Sequence, residues 1–136
     1  MFVTLRWANG YLRRHMEGRL QAIDAIVNFQ RVPEAWLSRY RKRAARLTEA
    51  SASPGVVSRL SEIARKRCLA NIQELIRFVE DRGPSDTAAT KHVMLTALRR
   101  EKVRWRDQAT WETLVDLTAP PVALPEMPDF EDEETD

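Results

Sequence analysis

Residues 99 to 106 read RREKVRWR, which is five cations and one indole in eight positions, with a single acid among them. Two further clusters, YRKRAAR at 40–46 and ARKR at 64–67, repeat the composition. The chemistry such residues do best is anion recognition. An arginine presents a planar fork of donors that matches phosphate and carboxylate oxygens and stacks on flat rings. Several held on one rigid surface can displace the counterions condensed along a nucleic-acid backbone. The candidate phosphate-binding residues are therefore Arg39, Lys42, Arg43 and Arg46, then Arg65, Lys66 and Arg67, and then Arg99, Arg100, Lys102, Arg104 and Arg106. Residues 39–46 hold five cations and no acid. A face built only for solvation mixes both signs, because opposite charges three or four positions apart stabilise a helix. Trp7, Tyr11, Trp36, Tyr40 and Trp105 lie near these cations, where they could stack on unpaired bases. Trp36 and Tyr40 fall on an apolar stripe and are expected in the core, as is Trp105, which shares a face with Met94 and Leu98.

Other chemistries find little material. His15 and His92 fall on different predicted helices, no His-Glu-x-x-His spacing occurs, and one cysteine with two histidines does not make a zinc site. No metal and no cofactor is expected. The four glycines form no GxxxxGK phosphate loop, so nucleotide hydrolysis has no support. Arg6, Arg13 and Arg19 could surround a dianionic substrate, but the ordered lysine and arginine pattern that such catalysis requires does not appear in the sequence. The chain is read as non-enzymatic, without a small-molecule substrate.

The formal charge of +2 conceals a segregation along the 136 residues. Residues 1–118 hold all 22 Lys and Arg against 13 Asp and Glu, a difference of +9, and residues 119–136 hold the remaining seven acids. Only four of the cations are lysine, which leaves 18 arginines. With 43% hydrophobic residues and no apolar run of about 18, the composition suits a soluble domain and gives no support to a membrane partner. The first residues lack the basic-then-apolar order of a signal peptide, and Cys68 has no disulfide partner. A reducing, cytoplasmic setting is expected.

Helical periodicity must position the clusters, since strand signals are scarce. Leu5, Leu12, Met16, Leu20, Ile23 and Val27 predict a first helix over about 4–30. Val32-Pro33 ends that segment and opens a second over 33–50, with Trp36, Leu37, Tyr40, Ala44 and Leu47 on one face and the cations on another. Ser53-Pro54 starts a third, to about residue 82, whose apolar positions include Val56, Val57, Leu60, Ile63 and Ala64 and then Cys68 through Val79. The second half is apolar over more than half its circumference, which suits a central helix or a homodimer seam. Gly83-Pro84-Ser85 stops it, and Ser85 is read as the cap of a fourth helix. Leu114 and Val115 are out of register with Met94, Leu98 and Trp105, which predicts a break between 106 and 110 and a last piece over 111–117. The fold class is all-α: a compact antiparallel bundle of four to five helices over 1–118. An extended acidic, Pro-rich tail follows over 119–136, with four prolines from Pro120 to Pro128.

Together these features point to a basic helical subunit that binds the phosphate backbone of nucleic acid inside a larger ribonucleoprotein or DNA-processing assembly. The alternative is an adaptor, self-associating or joined to other subunits, that recruits a protein partner through the tail, with Phe130, Glu131 and Asp132 as its contact residues.

Overall fold

A computed structural model of the chain describes residues 9–81 and 87–121, with side chains from Gly18 onward. Five helices run through these residues: α1 Asn9–Phe29, α2 Glu34–Glu49, α3 Pro54–Asp81, α4 Ala88–Arg106 and α5 Gln108–Leu114. They form an antiparallel all-α bundle, with no strand among the described residues. Helix α4 packs against α1, α3 and α5, and α2 packs against α3.

Each helix begins and ends for local reasons. Pro33 precedes α2, and its carbonyl accepts from the Trp36 amide at 3.0 Å. At the other end Ser51 takes a left-handed φ of 57°. There the Ala52 and Ser51 amides reach back to the carbonyls of Leu47 and Thr48, the paired closure that usually employs glycine. Thr87 caps α4 by accepting from the Thr90 amide at 3.1 Å, so the cap lies two residues after Ser85, which is outside the described residues. The predicted break falls at Asp107. Its extended backbone ends α4, and its carboxylate accepts from the Thr110 amide at 3.0 Å to start α5. That cap starts the last helix at Gln108, earlier than the periodicity predicts, and leaves Val115 and Leu117 as buried residues beyond it.

The core is a set of single stripes. Leu37, Tyr40 and Ala44 of α2 face Leu60, Ala64, Cys68, Ile72, Leu75, Ile76 and Val79 of α3 and Leu98 of α4. Burial pushes the Cys68 thiol up to about 12, so it stays protonated and packs as a small apolar group. Trp105 is fully buried and meets Trp36 and Trp111 edge-on, with ring centroids 6.3 and 6.2 Å away, which ties α2, α4 and α5 together. Trp111 donates to the Ser61 Oγ at 3.1 Å, whereas the Trp105 Nε1 has no partner among the described residues. Three apolar positions that mark the predicted helices are exposed: Leu20, Val56 and Ile63. Ile63 falls opposite the Ala64–Cys68 stripe of α3, on the side that no described helix covers.

Candidate nucleic-acid interface

Helix α2 shows its cations to solvent because its buried stripe fixes which way the rest must point. Leu37, Tyr40 and Ala44 face α3, and at 100° per residue Arg39, Lys42 and Arg46 fall on the opposite side, with Arg43 on its edge towards Tyr40. All four are exposed. The Arg39 guanidinium lies over the Tyr40 ring, 5.4 Å from its centroid. Lys42, Arg43 and Arg46 have no ion pair or hydrogen bond to any described residue. The fifth cation of the cluster, Arg41, points the other way. It forks onto Glu34 at 2.6 and 2.8 Å and donates to the carbonyls of Asp116 and Ala119, which pins the end of the bundle to α2. Glu34 is thus used by the one arginine of the cluster that faces inward, while Glu49, three positions after Arg46, makes no ion pair among the described residues.

The α3 cluster divides in the same manner. Arg65 pairs with Glu62 and donates to the carbonyls of Trp105 and Arg106, satisfying the end of α4 where a helix leaves carbonyls free. That pairing raises the Arg65 pKa and holds the Glu62 carboxyl below its ordinary range. Lys66 and Arg67 are exposed and bonded to no described residue.

On α4 most of the cations already have partners. Arg99 reaches Glu80 at 2.7 Å, Lys102 donates to the Gln73 Oε1, and Arg104 holds both oxygens of Glu101 at 2.8 and 2.9 Å. Glu101 is the single acid of RREKVRWR and is only 2% exposed, in line with Leu98 and Trp105 on the buried face. Arg100 is exposed without a partner among the described residues, as is the side chain of Arg106. Arg99, Lys102, Val103 and Arg106 form one wall of a groove of about 300 Å³, and Gln73, Ile76 and Glu80 of α3 form the other.

On α3, Gln73 and Glu80 face this groove. Asn71 and Leu75, nearly half a turn of the wheel away, line a smaller cavity of about 160 Å³ with Trp36 of α2. The α2 face and the groove therefore flank α3 on opposite sides, with Lys66, Ala70 and Arg77 on the outward arc between them. The groove residues Gln73, Ile76 and Glu80 had no signal in the sequence, since they meet α4 across 19 to 29 positions.

Groups considered for catalysis stand apart. His92 is exposed, and Arg19 lies over the Phe78 ring, 4.9 Å from its centroid. Among the described residues no group of three or more His, Cys, Asp or Glu could hold a metal ion, and no helix is long and apolar enough to cross a membrane. Arg6, Trp7, Phe130, Glu131 and Asp132 lie outside the described residues, as do the side chains of Tyr11, Arg13 and His15. No protein-family model, curated protein or solved structure matches the chain.

Proposed function

We propose that this chain is a non-enzymatic nucleic-acid-binding subunit that engages the phosphate backbone through the outer face of α2 and works within a larger ribonucleoprotein or DNA-processing assembly. The observation that carries the reading is the set Lys42, Arg43 and Arg46, three exposed cations of one helix that make no ion pair or hydrogen bond to any described residue, with Glu49 at the helix end as the one acid beside them. Like charges so placed repel one another, and a solvated face gains nothing from them. A polyanion converts that repulsion into attraction and releases counterions as it binds. Lys66 and Arg67 on α3 extend the reading, whereas Arg65 serves the fold.

The test is a fluorescence-anisotropy titration of labelled single-stranded and double-stranded oligonucleotides against the wild-type chain and an Arg39→Ala/Arg43→Ala/Arg46→Ala variant. Affinity is expected to fall about tenfold or more, which is 1.4 kcal/mol or more, with the melting temperature unchanged. Equal affinity in the two proteins would remove the basis of the assignment.

A further inference from the structure

We propose that the α3–α4 groove seats the backbone of a single strand, with a phosphate held by Arg99, Lys102 and Arg106, and that Glu80 stands in the anion's place until the strand arrives. The inference rests on the reading of the chain as nucleic-acid binding and adds which form of nucleic acid it takes and where.

Volume is the first argument. A space of about 300 Å³ lies at the small end of ligand pockets and suits one nucleotide of a flexible strand. A duplex carries its phosphates on a stiff rod that can touch the rim of such a groove but cannot enter it. Placement is the second. Positions 99, 102 and 106 fall along one side of α4 over about 10 Å of helix axis, so three donors follow a track. Arg100 and Arg104, on the other side of the helix, do not join it.

The present partners supply the third argument. Arg99 meets Glu80 through a single 2.7 Å contact with both side chains about half exposed, a pair of little intrinsic strength. Lys102 is held by a neutral amide, and the Arg106 side chain has no partner among the described residues. Three cations thus face one acid. A phosphodiester entering the groove takes over Arg99 from Glu80 with no covalent change, and it gains the two cations that Glu80 does not neutralise. Val103, 62% exposed beside these charges, offers an apolar contact for a sugar or base edge.

Anisotropy titrations with a short labelled oligodeoxythymidylate strand and a blunt duplex of equal length test the proposal. An Arg99→Ala/Arg106→Ala variant should bind the strand about tenfold more weakly, about 1.4 kcal/mol, with a much smaller change for the duplex. Arg106→Ala alone, which breaks no side-chain hydrogen bond or ion pair among the described residues, should give part of that loss without a shift in melting temperature. Glu80→Gln should tighten strand binding about threefold and leave the duplex unchanged. Equal losses for strand and duplex, or a Glu80→Gln gain shared by both, would overturn the groove as a single-strand site. If the α2 substitutions weaken binding and the groove substitutions do not, the groove assignment fails alone. If the wild-type chain binds neither probe, the parent reading fails with it.

Discussion

On α2, Lys42, Arg43 and Arg46 stand in solvent without an ion pair to any described residue, while on α4 Arg99, Lys102 and Arg104 each hold a partner from their own protein. The two stretches have nearly the same composition. Their surroundings differ: α2 packs on α3 through one stripe and leaves its far side open, whereas α4 packs on α1, α3 and α5, so its cations sit at seams. A count of cations thus says little about which of them can meet a ligand. The neighbours supplied by the fold decide it.

The sharpest way to break this contrast is to remove the residue on which α4 depends. Trp105→Ala should lower stability by about 3–5 kcal/mol, as for other buried aromatic truncations, while each of Arg39→Ala, Arg43→Ala and Arg46→Ala should stay within about 0.5 kcal/mol. Urea unfolding of the four variants checks this, and a similar cost at α2 would erase the distinction between the helices.

Arg104 sharpens the comparison within α4. Its removal strips the buried Glu101 carboxylate of its partner and should cost about 3 kcal/mol, whereas Arg100→Ala should cost almost nothing. Adding Glu101→Gln to Arg104→Ala should recover most of the loss, because a neutral amide is far easier to bury alone.

A smaller effect concerns the joint between α4 and α5. Hydrogen bonds from the Thr110 hydroxyl and amide hold the Asp107 carboxyl below its ordinary range. A group whose pKa is depressed by folding contributes fully above its unfolded value, near 4, and its contribution is lost as pH falls through the folded value. The melting-temperature difference between wild type and Asp107→Asn should therefore be constant from neutral pH to about 5 and shrink below about 4.

Much of this architecture could be read from apolar spacing. Leu37, Tyr40 and Ala44 mark the inner face of α2, and the register change after Trp105 marks the joint at Asp107. Ile63 misled because periodicity reports which residues could be buried, and α3 has neighbours along only part of its circumference. Glu101, to which the sequence assigns no role, lies three residues after Leu98 and four before Trp105, so the same wheel that buries those two buries it. The groove was out of reach, because Glu80 and Gln73 meet Arg99 and Lys102 only after the chain has turned back on itself.

The central claim is that the outer face of α2 meets phosphates, and the salt dependence of binding tests it most directly. Each phosphate contact contributes about −0.7 for a single strand to about −0.9 for a duplex to the slope of log affinity against log salt. Removing Arg39, Arg43 and Arg46 together should make the wild-type slope shallower by about 2 to 3, with an unchanged melting temperature showing that the bundle is intact. A slope that is the same in both proteins would contradict the account.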